Sequence, residues 1–146
     1  MQEQDGFFTF KGYQLQRTVQ LTSSMEDYLE MICRLLQDTG IVRVRDLAER
    51  LHVKPSSASK MAANLAREGY LEYRRYGHVT ATAKGLAAGA YLLHRHEVVH
   101  DFLCLLNGSE NELEEAEKIE HFLSEKTIKN LEKWILSMKK APPESL

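Results

Sequence analysis

The 146-residue chain has only two cysteines, three prolines, one tryptophan and no long apolar run. Cys33 and Cys104 lie far apart in apolar helical patterns, which argues against a disulfide framework and for buried thiols in a reducing compartment. The longest apolar stretch, Gly85 to Leu93, falls far short of the roughly 18 residues that mark a membrane span. No basic start precedes an apolar stretch and a small-residue cleavage site, so no secretory signal is expected. Internal repeats and low-complexity segments are missing too. What is present, 43% apolar and 27% charged residues, is the composition of a globular chain rather than a disordered or fibrous one. These features predict a cytoplasmic protein with no membrane partner. It forms one domain, or two small units sharing a core, large enough to fold without disulfides or a structural metal.

The formal net charge of −2 hides an asymmetry. Between Arg43 and Lys84 nine Lys or Arg stand against four acids, a net of +5. Between Glu97 and Glu125 nine acids stand against Lys118 alone, a net of −8. A basic half beside an acidic half predicts two surfaces with different partners.

The hydrophobic period organises the chain. Residues 1–22 carry no helical period, although Phe7, Phe8, Phe10 and Tyr13 make them an unusually aromatic N-terminal arm. Cap residues at Thr22 to Ser24 introduce a helix over about 23–38, with Met25, Tyr28, Leu29, Ile32, Cys33 and Leu36 on one face and Gly40 as its stop. A short second helix carries Val44, Leu47, Ala48 and Leu51. Pro55 then opens a third that runs to Arg67. Residues 70–82 are aromatic and β-branched around Gly77, the pattern of a hairpin. Two short helices joined by a tight turn and followed by a basic-tipped hairpin make a winged helix-turn-helix, assigned to residues 23–84.

A helical half, residues 85–146, follows. Its first helix runs from Ala83 to about Leu106, with Leu92, Leu93, Val99 and Leu103 as the apolar stripe and small residues from Gly85 to Ala90 marking close packing. A fifth helix is expected over about 110–123, with Leu113, Ala116, Ile119 and Leu123 facing a core. A sixth is expected over 125–138, using Ile128, Leu131, Trp134 and Ile135. The fold class is therefore mainly α: a winged helix-turn-helix domain plus a helical domain.

In a helix-turn-helix the second helix enters the major groove, and its early residues meet base edges. Here those residues are Ser56, Ser57, Ala58, Ser59 and Lys60, with Asn64 one turn on. Short hydroxyls allow close approach, Lys60 can reach guanine acceptors or phosphate, and Ala58 suits a thymine methyl. Lys54, Arg74 and Arg75 are placed to hold phosphates, the two arginines from the wing. The competing reading is a winged helix used for protein contacts, with its serines as solvated caps.

Asp27 and Glu30 share one side of the first helix, and Glu117, Glu120 and His121 share a flank of the fifth. Each set alone would read as a solvated face. His96 sits inside an apolar stripe, where a histidine alone would read as a hydrogen-bonded core residue. Together they differ, because burying carboxylates and imidazoles side by side is costly unless they pair or bind a cation. Four carboxylates and two histidines without a thiolate form a hard, oxygen-rich site suited to Mn²⁺, with Fe²⁺ as the near competitor. Six side chains exceed the needs of one ion, so two adjacent ions are expected. His100 stands as an alternate ligand, and His94 points to the opposite face, toward solvent.

These residues resemble the diphtheria toxin repressor family, in its manganese transport regulator branch. The resemblance runs from about Ser24 to Ile135. It rests on Ser24-Met25-Glu26-Asp27-Tyr28-Leu29-Glu30, Pro55-Ser56-Ser57-Ala58-Ser59-Lys60-Met61, Arg95-His96-Glu97 and Glu117-Lys118-Ile119-Glu120-His121. It implies a homodimeric, manganese-activated repressor of metal-uptake genes that binds double-stranded operator DNA. It further implies a two-ion site of Asp27, Glu30, His96, Glu117, Glu120 and His121, with Glu30 and Glu120 as bridges. Iron-responding relatives carry Met and Cys where this chain has Asp27 and Glu117, so the carboxylates favour manganese. Two alternatives remain within regulators: a winged-helix protein responding to Fe²⁺, or one sensing an organic ligand. A di-metal carboxylate enzyme would show paired Glu-x-x-His motifs. Among His94, His96, His100 and His121 only Glu97-x-x-His100 fits, so no enzyme is expected.

Overall fold

The computed structural model describes residues 21–140. The aromatic positions of the N-terminal arm and the Pro142-Pro143 pair lie outside them. Helix α1, Ser23–Thr39, starts where the Thr22 hydroxyl accepts from the Met25 amide at 3.1 Å. It ends at Gly40, whose φ of 75° favours glycine. Its Met25, Tyr28, Leu29, Ile32 and Cys33 are buried, as the period predicts.

Strand β1, Val42–Arg43, leads into α2, Val44–Leu51, and then α3, Pro55–Arg67, which opens on its proline. Strands β2, Leu71–Arg74, and β3, His78–Ala81, flank a 3₁₀ turn at Arg75–Gly77. The sheet order is β1-β3-β2, antiparallel throughout, with Val42 opposite Val79 and Leu71 opposite Ala81. At two residues β1 is too short to show an alternation, so the sequence reading does not find it.

Helix α4, Ala83–Asn107, is the longest element and serves both halves. Leu92 packs into the core of the winged head, while Val98, Val99 and Leu103 join Ala116, Ile128 and Ile135 in a second core. The close approach expected near its start is seen at two glycines, and Ala88 packs against the head core. A Cβ on Gly85 would collide with the Tyr70 carbonyl, and one on Gly89 with the Cys33 sulfur. Ala87 and Ala90, counted in the same small-residue run, are exposed.

Helix α5 is shorter than expected, Leu113–Ile119, and passes into a 3₁₀ turn at Glu120–Phe122. Just before it the Asn111 carboxamide oxygen accepts the Leu113 amide at 3.0 Å in an Asx turn, while the N-cap, Glu112, makes no side-chain cap bond. Leu113 is exposed rather than in the core. Helix α6, Glu125–Lys140, closes the fold on Ile128 and Ile135. Its Trp134 also lies mostly outside the core, edge-on to Phe102 at a centroid distance of 5.6 Å. Among the described residues no helix is long and apolar enough to cross a membrane.

The α1–α4 seam is tight enough to test. Gly89→Val should destabilise the fold by about 1–3 kcal/mol through overpacking against Cys33, read as a lowered thermal midpoint. An unchanged midpoint would show that the two helices can separate freely.

Candidate metal centre and nucleic-acid interface

All six expected ligand residues come together where α1, α4, α5 and the following 3₁₀ turn meet. Asp27 and Glu30 project from α1, His96 from α4, Glu117 from α5, and Glu120 and His121 from the turn. One group able to hold a cation comprises Asp27, Glu117, Glu120 and His121, and a second comprises Glu30, His96, Glu117 and Glu120. Within each, the ligand atoms lie within 4.8 Å of one another. Glu117 and Glu120 belong to both groups in this arrangement, whereas Glu30 belongs to one.

His96 Nδ1 lies 2.7 Å from Glu120 Oε2 and 3.4 Å from Glu117 Oε1, and His121 Nε2 lies 2.9 Å from Asp27 Oδ1. Glu120 is fully enclosed, and its Oε1 has no hydrogen-bond partner. A buried carboxylate oxygen without a donor is costly, and Glu120 belongs to both groups, so the residues fit a divalent cation. Asp27 and Glu117 keep side-chain exposures of 44% and 48%, leaving the cluster open to solvent on that flank.

The electrostatics carry the same mark. Burial, together with the neighbouring Glu120 charge, pushes the Glu30 carboxyl up to about 7. Burial and Glu120 also raise Glu117. The hydrogen bond to Glu120 raises His96. Hydrogen bonds to Asp27 and Glu26 raise His121 to about 10. Protons thus hold the like charges together, and a cation can replace them.

His100 belongs to neither ligand group. Its Nε2 accepts the Glu112 amide at 3.1 Å, and its ring stacks 6.4 Å from that of His96. His94 is on the opposite face as expected but is not simply solvated, since its Nε2 lies 2.7 Å from Glu132 Oε2. Two site neighbours escaped the sequence reading. Glu26 and the buried Arg95 form an ion pair at 3.2 Å, and Glu26 also reaches His121 Nδ1 at 3.0 Å. The available signal was Arg95 itself, a charge three residues after Leu92 inside an apolar stripe.

On the head, Ser56, Ser57, Ser59 and Lys60 are exposed along the start of α3, Lys54 precedes it, and Asn64 is half-buried. Ala58 is fully buried, so the expected thymine contact is corrected: its methyl packs the head core. The Tyr73 hydroxyl donates to the Ser59 carbonyl at 2.8 Å, tying the wing strand to α3. Arg74 and Arg75 are exposed on the wing, and Tyr76 at its tip is 89% exposed with a φ of 62°. Arg43 and Arg45 line a cleft shared with Ser59, Tyr76 and His78, adding basic groups that the sequence reading did not assign to DNA.

Fold and site together define a winged-helix protein whose helical half carries a cluster of cation ligands. Residues 20–79 match the family model described as iron dependent repressor, N-terminal DNA binding domain. Residues 82–145 match iron dependent repressor, metal binding and dimerisation domain. A relative from Shouchella clausii (strain KSM-K16), the HTH-type transcriptional regulator MntR, is 43% identical over 70% of this chain and 73% of its own length. The regulator of the same name from Lysinibacillus sphaericus (strain C3-41) is 39% identical over 83% of this chain and 88% of its own. Among solved structures, the manganese regulator SloR superposes with a TM-score of 0.69 at 25% identity, over 80% of this chain and 55% of that one. This chain thus spans about half the length of that structure. It belongs to the diphtheria toxin repressor family, in the manganese transport regulator branch. It is a transcriptional regulator and not an enzyme.

The raised groups set a pH dependence. Glu30 favours the fold while neutral, a contribution complete below its ordinary 4.5 and lost as pH rises through about 7. Protonated His121 contributes fully below its ordinary 6.5, and that contribution is lost as pH rises through about 10. Cation binding must displace these protons. The rise in thermal midpoint on adding Mn²⁺ should therefore grow between about pH 6 and about pH 8. An equal rise at both would mean that these groups do not hold the ion.

The interface yields a second expectation. Arg75→Ala should weaken DNA binding about uniformly across sequences and reduce the salt slope by about 1, measured by binding at several salt concentrations. A change confined to one operator sequence would assign Arg75 to base reading instead.

Proposed function

We propose that this chain is a manganese-activated repressor that binds operator DNA of metal-uptake genes as a homodimer. The observation that carries the reading is the split of the ligand set: Asp27 and Glu30 lie on the first helix of the winged head, and the other four lie beyond the hairpin. The bound ions, two per chain in this reading, would supply positive charge to a cluster that otherwise needs protons. Glu30 and Glu120 then lie side by side without repulsion, and α1 is held against α4 and the 3₁₀ turn. With the head fixed to the dimer core, the two α3 helices are spaced for half-sites in successive major grooves. Ser56, Ser57, Ser59, Lys60 and Asn64 meet the groove, and Lys54, Arg74 and Arg75 hold the backbone. Leu105, Leu106, Leu136 and Met138 leave apolar surface exposed on the helical half, which supports association there with a second copy.

The test is capture of fragmented host DNA by the purified protein, with Mn²⁺ and with chelator side by side. Sharp enrichment of a few fragments with Mn²⁺ alone is the expected result. Equal enrichment under both conditions would refute activation by metal, and no enrichment under either would refute operator binding.

A further inference from the structure

His121 presents two nitrogens to two different surroundings. Its Nε2 faces Asp27 Oδ1 at 2.9 Å, on the ligand side. Its Nδ1 lies 3.0 Å from Glu26 Oε1 and 3.2 Å from Arg95 Nη2. Arg95 Nη1 also donates to Glu26 Oε2 at 3.2 Å, and the arginine side chain is 4% exposed. Glu26 adjoins Asp27 on α1 and Arg95 adjoins His96 on α4, so each stands next to a ligand residue.

These two neighbours make opposite demands. The charged ring carries both protons; once one has left to make room for a cation, the neutral imidazole keeps a single proton, while an ionised carboxylate only accepts and a guanidinium only donates. If Arg95 donates to Nδ1, the ring proton sits on Nε2 and closes the ligand side. If Glu26 accepts from Nδ1–H, the Nε2 lone pair is free for a cation. Arg95 gives Nη1 to Glu26 while its Nη2 stays 3.2 Å from the ring, so the carboxylate both claims Nδ1–H and holds its competitor by the other nitrogen.

We infer that Glu26 is a positioning residue that selects the metal-competent tautomer of His121, and that Arg95, once freed from Glu26, selects the other. The inference rests on the metal-centre reading above. A ligating histidine commonly gives its second ring N–H to such a carboxylate. What this chain adds is a buried arginine poised to reverse the choice.

The experiment is Mn²⁺ binding to the full chain, followed by loss of the free-ion paramagnetic resonance signal, with circular dichroism to check folding. Glu26→Gln should weaken binding by about 10-fold to 100-fold, because a neutral amide no longer demands the Nδ1 proton or restrains Arg95. Adding Arg95→Met to Glu26→Gln should recover most of that loss, which a purely structural role would deepen. Unchanged affinity in Glu26→Gln, or a further loss in the folded double variant, would overturn the inference. Should the double variant not fold, Glu26→Asp decides. It keeps the charge and should bind more tightly than Glu26→Gln, and the reverse order would overturn the inference. A wild-type chain that binds no Mn²⁺ would overturn the metal-centre reading itself, a distinguishable failure.

Discussion

The buried carboxylate of Glu120 is the constraint on which the site is organised. It is fully enclosed, one oxygen rests on His96, and the other has no donor. Negative charge without compensation is expensive in a low-dielectric interior. The surroundings answer that cost with protons: His96 is drawn toward its charged form and Glu30 toward its neutral one. The same cluster is therefore tolerable with protons and better satisfied by a cation, which is the property a sensor requires.

Position gives that chemistry its reach. Helix α4 runs without a break from the head core at Leu92 to the second core at Val98, and His96 lies between the two. Gly85 and Gly89 bring α4 against the Tyr70 carbonyl and the Cys33 side chain, so α1 is packed on it without room for a Cβ. Glu26 and Arg95 add an ion pair across the same seam. The cluster thus sits at the joint between a DNA-reading unit and its support. A change in charge there bears on how the two are held.

Most of the helical framework was legible in the chain because it depends on local rules. Thr22 and Thr82 cap their helices, Gly40 and Gly108 end theirs in left-handed backbone, and Pro55 opens α3. The six clustered carboxylates and histidines could be picked out by spacing and by the oddity of charge beside an apolar stripe. The failures share a cause. Leu113 and Trp134 look like core residues by period, yet Leu113 stands exposed at the first position of a shorter α5 and α6 offers only part of its apolar face to the second core. Ala58 looks available to DNA by its place in α3, yet that face is turned into the head.

By itself the sequence determined the class of fold, the basic and acidic halves, and the ligand types, since period, capping and side-chain chemistry act within a few residues. Tertiary structure alone decided that Glu117 and Glu120 are common to both ligand groups and that Glu120 is the enclosed carboxylate. It alone placed Glu26 and Arg95 on the far side of His121. Those contacts join residues up to 95 positions apart, and no local pattern encodes which faces of distant helices will meet when their cores are packed.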